Sequence, residues 1–327
     1  MDETPFISIC IPAFQRVNYL RRLLDSIEIQ SFRNFETVIS DDSPGSEVQE
    51  LIRNHPLNPK IRYFKNNETL GSPENWNEGI RHAKAGWIKI MHDDDWFSGP
   101  GSLQTFADAV MSKNARFYFS AFTNVRPDGK QEKVQISDFH LNGLKKLPES
   151  LMVANRIGPP SVTIFKKEDF PYFDRRMQWL VDIDFYIRYL KEFPPAAYIP
   201  ENLVQIGISA SQVTRRSFGN PKIEIPERFL LGDKLNYSGI RYIPVFDSWW
   251  RFLRNLSIRD LDQIKQSGYH GKIPEFIPDM MKAQKNIPAA LLKRGVFSKI
   301  FMLLHYYRSS AVRHLSSLPS GRQASSE

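Results

Sequence analysis

A single cysteine, Cys10, stands in 327 residues, so no disulfide can form within the chain. It lies between Ile9 and Ile11 and reads as a small core thiol, in keeping with a reducing compartment. Long hydrophobic runs are also missing: none approaches the roughly 20 residues needed to cross a bilayer as a helix. The opening residues, Met1-Asp2-Glu3-Thr4-Pro5, lack the basic and apolar parts of a secretory signal. The expectation is a cytoplasmic protein. Acid is scarce in one region only. From Met281 to Glu327 eight Lys or Arg face one acid, Glu327, so this segment carries +7 of the chain's +8. The rest is nearly neutral, which argues against a general nucleic-acid binder. No internal repeat or low-complexity block is present, and the last dozen residues are Ser-rich and read as disordered. With 41% hydrophobic and 24% charged residues, the chain has the composition of a soluble globular protein. Its length suits one large domain with an appendage, or two domains.

What is there is a set of apolar runs that end in acids. Trp87, Ile88, Ile90 and Met91 read as a short buried strand. It runs through His92 into Asp93-Asp94-Asp95 and then Trp96. Clustered acids at a strand end are delivered to the carboxyl edge of a sheet, where open α/β sheets bind ligands. Adjacent carboxylates repel, and a hard divalent cation such as Mg²⁺ or Mn²⁺ relieves them. A solvated acidic turn before the helix beyond Pro100 is the plainer reading.

Phe6–Pro12 reads as a first strand, with the loop Ala13-Phe14-Gln15-Arg16 at its end. Leu20, Leu23, Leu24 and Ile27 follow at the spacing of an amphipathic helix. Phe35–Ser40 is a second strand running into Asp41-Asp42. A helix over 47–54, a strand over 61–64 and a helix opened by Leu70-Gly71-Ser72-Pro73 come next. This β-α-β rhythm predicts a parallel sheet with right-handed crossovers. Further on, the pattern predicts a helix around Leu103–Val110, strands at 115–122 and 161–165, a hairpin or loop over 124–150, and a helix opened by Asp182. A last short strand at 197–199 and a mobile loop over 207–219 end this part. Beyond residue 220 the rhythm stops. Trp249, Phe252, Leu253 and Leu256 mark one helix, and Phe297, Ile300, Phe301 and Leu304 another.

The residues Ile9–Arg16, Val38–Ser43, Gly71–Asn77, Asp93–Asp95 and Asp182–Asp184 together resemble the family 2 glycosyltransferases. The resemblance covers roughly residues 5–215. It implies an α/β fold of the GT-A type: a Rossmann-like, mostly parallel central sheet flanked by helices. The expected domains are a nucleotide-sugar glycosyltransferase domain over 1–219 and a mainly helical extension with a basic tail over 220–327. The resemblance further implies an inverting transferase using a nucleotide-diphospho-sugar, most readily a UDP-sugar, with Mg²⁺ or Mn²⁺. Pro12, Ala13 and Phe14 then sit where the family holds the base, although Tyr is commoner than Phe14 and Asn than Gln15. Arg16 falls near the phosphates and Asp42 where a carboxylate accepts from the uracil ring. Asn77, Asp93 and Asp94 line the donor. Asp95 is the metal ligand. His92 occupies a place that is often acidic, either as a partner to the ligands or as an edge residue. Asp182 is the general base, with an N-cap as its structural alternative and Asp184 as the alternative base. Gly158 faces the acceptor and Trp179 offers a platform for a sugar ring or a core contact. Arg215 and Arg216, with Gln212 and Thr214, resemble a lid over the diphosphate.

The Gln-x-x-Arg-Trp motif and membrane spans of processive members are not found, so one sugar is transferred per event. The acceptor is expected to be a glycan or a lipid-linked molecule of a surface polysaccharide, or a polyprenyl phosphate. The apolar, basic tail either contacts an anionic membrane at its inner face or packs on the catalytic domain. A basic nucleotide- or nucleic-acid-binding protein without transfer chemistry is the reading from another class.

Overall fold

The structure, a computed structural model, describes residues 4–112, 115–208, 217 and 219–309. It divides into two compact units. One runs to Leu151 and resumes at Asn155; the other takes Met152–Ala154 and the residues from Ser217 on.

The first unit begins with β1 (Ile7–Ala13), whose Ile7, Ile9 and Ile11 are fully buried. Helix α1 (Val17–Glu28) buries Leu20, Leu23, Leu24 and Ile27, the stripe that its spacing predicts. Strand β2 (Phe35–Asp41) is buried at every residue. Helix α2 (Glu47–Arg53), β3 (Ile61–Lys65), α3 (Glu74–His82) and β4 (Trp87–Ile90) continue the alternation. These strands pair in parallel in the order β3-β2-β1-β4. Parallel strands covered on both faces read as unbroken apolar runs, which is why this half is plain in the sequence.

The sheet then turns mixed. Its remaining strands are β5 (Trp96–Phe97), β6 (Phe117–Val125), β7 (Gln131–Val134), β8 (Thr163–Lys166) and β9 (Ala196–Gly207). Strand β8 runs antiparallel to β4 and β6 antiparallel to β8. Strand β9 lies parallel to β6, and the short β5 closes the far edge against β9. The segment expected as a brief strand at 197–199 is therefore a strand of 12 residues. Pro200 hides it, because proline cannot donate to a ladder and sits at irregularities. The register slips there, with Ile199 opposite Ser120 and Asn202 opposite Ala121. Helix α4 (Ser102–Ser112) lies where the pattern puts it. The region 124–150 holds the β6–β7 hairpin and also helix α5 (Asp138–Lys146). That helix buries only Leu144, so it leaves no apolar stripe to read. Helix α6 (Val181–Glu192) begins one residue before Asp182.

The second unit is helical. Helices Pro221–Lys234, Ile243–Asn255 and Phe276–Lys285 enclose Phe229, Trp249, Trp250 and Phe276. Phe229 meets the Trp249 ring edge-on at 5.3 Å, and Trp250 donates its indole N–H to Ser298 Oγ at 3.1 Å. The helix Gly295–Arg308 lies where Phe297, Ile300, Phe301 and Leu304 mark one. It turns Ser298 and Met302 inward, while Phe297, Ile300 and Leu304 stand 42%, 48% and 48% exposed. An almost wholly apolar helix gives no periodicity from which to choose its inner face. No described helix is long and apolar enough to cross a membrane.

Candidate active site

Strands β1, β2 and β4 are parallel and in register, with Ala13 opposite Asp41 and Cys10 opposite Ile90. Their carboxyl ends therefore deliver Ala13–Arg16, Asp41-Asp42 and His92–Asp95 to one edge. Cys10 itself lies in the core below, where burial pushes its thiol well above the usual range.

The acids after β2 are met by several of the protein's own donors. Asp41 is fully buried and accepts from Tyr63 Oη at 2.8 Å, Lys65 Nζ at 3.2 Å and Ser43 N at 2.8 Å. Asp42 accepts from Asn66 Nδ2 at 2.6 Å, Leu70 N at 3.2 Å and Gly71 N at 2.8 Å. Those bonds leave a lone pair free on Oδ2, since a carboxylate offers about four acceptor sites. Asp42 N donates to Ala13 O at 3.0 Å, and Asn75 Nδ2 reaches the same carbonyl at 3.4 Å. Beside them Phe14 is 46% exposed, a free aromatic face at the strand exit next to the half-buried Pro12.

The acids after β4 are differently placed. Arg16 reaches over them: Nε meets Asp93 Oδ2 at 3.1 Å, Nη2 bonds Asp93 Oδ1, and Nη1 meets Asp94 Oδ2 at 3.0 Å. Burial nevertheless outweighs Arg16 and pushes the Asp93 carboxyl up to about 7. Asp95 is 3% exposed and accepts from Gly207 N at 3.1 Å and from the Ser161 hydroxyl. Burial and the charge of Asp94 hold its carboxyl well above the ordinary range. His92 is half-buried, and desolvation lowers its imidazole to about 4. At neutral pH it is therefore an uncharged ring, with one nitrogen carrying a lone pair. Its Nε2 is buried without a hydrogen-bond partner among the described residues.

His92, Asp94 and Asp95 each offer a ligand atom, and these lie within 4.8 Å of one another. Two carboxylates beside an imidazole nitrogen fit a divalent cation. A buried polar atom without a partner otherwise costs about 1–3 kcal/mol.

Asp182 stands in the first turn of α6, with its Oδ1 accepting from Ile183 N at 2.8 Å. Asn155 Nδ2 donates to its Oδ2 at 2.7 Å. Burial nonetheless pushes the Asp182 carboxyl up to about 7. Asp184 is fully buried and paired with Arg188 at 2.7 Å, which commits it to the helix.

One segment joins this carboxylate to the acidic strand end. Asn155 holds Gly158 through N to Oδ1 at 2.9 Å and Nδ2 to O at 3.1 Å, and Tyr186 Oη also donates to Gly158 O at 3.1 Å. Gly158 has φ +106°, and a Cβ there would lie 2.7 Å from the Phe122 ring. Three residues on, Ser161 Oγ accepts from His92 N at 2.9 Å while its hydroxyl serves Asp95. Its carbonyl receives the buried ammonium of Lys89. Asp182 and Asp95 are thus held by opposite ends of residues 155–161.

Asn77 does not join the edge. Its amide is spent on the Phe173 backbone, donating to O at 2.8 Å and accepting from N at 3.1 Å, with Glu74 a further acceptor at 3.0 Å. It fastens the 173 loop to α3. Trp179 is half-buried three residues before Asp182. Arg215 and Arg216, with Gln212 and Thr214, lie outside the described residues. Sequence reading missed Asn155, Ser161 and Gly207, and left the part of His92 open. None belongs to a local pattern; each is set by a contact from a distant element.

The Glycosyl transferase family 2 profile matches residues 8–170. An uncharacterized protein of Mycobacterium tuberculosis is 26% identical over 266 residues, covering 75% of this chain and 81% of its own. A Rickettsia felis glycosyltransferase is 27% identical over 167 residues, 50% of this chain but 27% of its own length. The GalNAc(5)-diNAcBac-PP-undecaprenol beta-1,3-glucosyltransferase of Campylobacter jejuni is 29% identical over 146 residues, 43% of this chain and 44% of its own. The chain thus spans less than half of these last two relatives. Among solved structures, S. aureus TarS 1–349 superposes with a TM-score of 0.60 at 14% identity, over 95% of this chain and 89% of its own. The mannosyltransferase PcManGT of Pyrobaculum calidifontis, solved with GDP-Man and Mn²⁺, gives 0.53 at 13% identity over 96% and 88%. These likenesses show a shared GT-A-type fold. With the family profile lying across the acid-ended strands, the chain belongs to the family 2 glycosyltransferases.

Proposed function

We propose that this enzyme is an inverting, metal-dependent transferase that moves one sugar per event from a nucleotide-diphospho-sugar to a hydroxyl. The observation that carries the reading is the tether just described. A carboxylate raised to about 7 is held by the segment whose other end holds the acidic cluster. A group titrating near neutrality is suited to general base work. Asp182 takes the proton from the acceptor hydroxyl as that oxygen attacks the anomeric carbon from the face opposite the diphosphate. Asn155 and the Ile183 N–H aim its two oxygens. Phe14 stacks on the base, and the spare lone pair of Asp42 accepts its ring N–H, which uracil and guanine present and cytosine and adenine do not. His92, Asp94 and Asp95 would hold Mg²⁺ or Mn²⁺, which would supply positive charge to stabilise a diphosphate leaving group. Asp93 and Arg16 orient that cluster, and Gly158 and Trp179 face the acceptor.

The donor assignment draws on TarS, solved with UDP-GlcNAc, and on PcManGT, solved with GDP-Man and Mn²⁺. A lipid-linked acceptor draws on the Campylobacter relative's undecaprenol substrate. It also accords with the helix Gly295–Arg308, where Val296, Phe297, Ile300, Leu304 and Tyr307 are exposed beside the basic tail. Such a face suits an anionic membrane surface.

Incubation with UDP-sugars and Mn²⁺, with the product anomer read by NMR, tests the chemistry. Inversion with hydrolysis of a UDP-sugar supports the reading. A retained configuration, or no donor hydrolysis across UDP- and GDP-sugars, ends it. Sedimentation with anionic vesicles at low salt tests the tail: protein left in the supernatant excludes a membrane role.

A further inference from the structure

Among the described residues the ring Nε2 of His92 takes no part in the hydrogen bonding around it, yet the residue is held firmly. Its backbone N–H is fixed on Ser161 Oγ at 2.9 Å. Its ring lies on the Trp76 ring, with centroids 4.6 Å apart at 45°. Nε2 is enclosed and has neither donor nor acceptor among the described residues. A ligand nitrogen of the same ring lies within 4.8 Å of oxygens from both Asp94 and Asp95. A histidine kept for packing alone is served better by a hydrogen-bond partner or by an apolar ring of similar size, because buried polar atoms are normally satisfied. A fixed imidazole with a ligand atom this close to two carboxylates has the geometry of a metal ligand.

We propose that His92 is a nitrogen ligand of the divalent ion, and that it makes the site select Mn²⁺ over Mg²⁺. The inference rests on the reading that the acidic cluster binds a cation at all. Mg²⁺ holds to oxygen ligands and water, whereas transition-metal ions accept imidazole. Replacing one oxygen by nitrogen therefore weakens Mg²⁺ and leaves Mn²⁺ well held. With oxygen ligands alone the site would not separate the two ions in this way.

The test uses the full chain with UDP and Mn²⁺, read by electron spin echo spectroscopy for nitrogen coupled to the bound manganese. Titration with Mg²⁺ as competitor gives the preference. The expected result is nitrogen coupling in the native protein and its loss in His92→Asp and His92→Asn, with Mn²⁺ still bound. The Mn²⁺-to-Mg²⁺ preference should fall about tenfold or more in His92→Asp, which puts an oxygen in place of the nitrogen. Bound Mn²⁺ without nitrogen coupling in the native protein overturns the role of His92 and leaves the metal site standing. Coupling that persists in a folded His92→Asn variant overturns it equally. Failure of Mn²⁺ to bind the native protein in the presence of UDP overturns the metal reading itself. Should neither variant fold, the presence or absence of coupling in the native protein decides.

Discussion

Two strands of one sheet end in acids at the same edge, and the protein treats them in opposite ways. After β2, Asp41 and Asp42 are met by six donors from Ser43, Tyr63, Lys65, Asn66, Leu70 and Gly71. After β4, Asp93 and Asp95 sit above the ordinary carboxylate range, because burial outweighs the donors and the Arg16 charge around them. The first pair is finished architecture that also leaves one lone pair for a ligand. In the second cluster burial outweighs the compensation, and His92 Nε2 beside it has no hydrogen-bond partner among the described residues. A protein bears such a cost where something is to bind. Compensation, rather than the number of acids, distinguishes the two strand ends.

The largest effect should come from removing the general base or the deepest acid of the cluster. Asp182→Asn should lower turnover about 10²- to 10⁴-fold with donor affinity unchanged, as measured by kinetics beside calorimetric titration of the nucleotide-sugar. Full activity would strike Asp182 from the mechanism. Asp95→Asn should cost on the order of 10³ in turnover while leaving the apo fold no less stable, since a poorly compensated buried charge is gone. Asp41→Ala should do the reverse to stability, costing about 2–4 kcal/mol in denaturant unfolding by stranding Tyr63, Lys65 and Ser43 N. Equal destabilisation by Asp95→Asn and Asp41→Ala would break the comparison.

The pH dependence carries the same contrast into solution. Asp182 is raised to about 7 from an ordinary 3.8. An acid whose folded value lies above its unfolded one stabilises the fold fully below the unfolded value, and that contribution drains away as pH rises through about 7. Activity should move the other way, since the base works only when ionised. The kcat profile should climb through about pH 7 on its acid limb, and Asp182→Asn should abolish that limb. A native profile that is flat between pH 5 and 8 would exclude Asp182 as the titrating group.

The half of the fold that carries the site was legible because its strands are buried on both faces and its helices, such as α1, bury a clean stripe. The acids were legible because they end those elements. Asn155 and Ser161 were not, because each acts on a partner far along the chain: Asn155 on Asp182, and Ser161 on His92 and Asp95. Asn77 was misplaced for the opposite reason. An amide in the first turn of a helix looks alike whether it meets a ligand or the Phe173 backbone. Pro200 concealed the length of β9, and with it the approach of Gly207 to the acidic cluster. The helix Gly295–Arg308 is marked by its apolar residues, but they do not say which of its faces packs inward.

That approach gives the smallest and most local test. Gly207 ends β9 against the acidic turn, donating its N–H to Asp95 Oδ1 at 3.1 Å. A Cβ at Gly207 would lie 2.4 Å from the Asp94 carbonyl oxygen and 3.4 Å from Arg22 Nη2. The nearer atom is backbone and cannot swing aside, so Gly207→Ala must move the acidic turn relative to β9. Asp94 and Asp95 then lose their spacing to His92 while every ligand remains present. Metal affinity should fall about tenfold, the scale of a disturbed outer contact, with the fold retained. Gly143→Ala is the control, for its added methyl meets nothing within 4 Å in α5. It should raise stability by about 0.5–1 kcal/mol and leave the metal titration unmoved. If Gly207→Ala also binds Mn²⁺ as the native chain does, then β9 does not set the spacing of the cluster, and the shortage of compensation at β4 belongs to that strand alone.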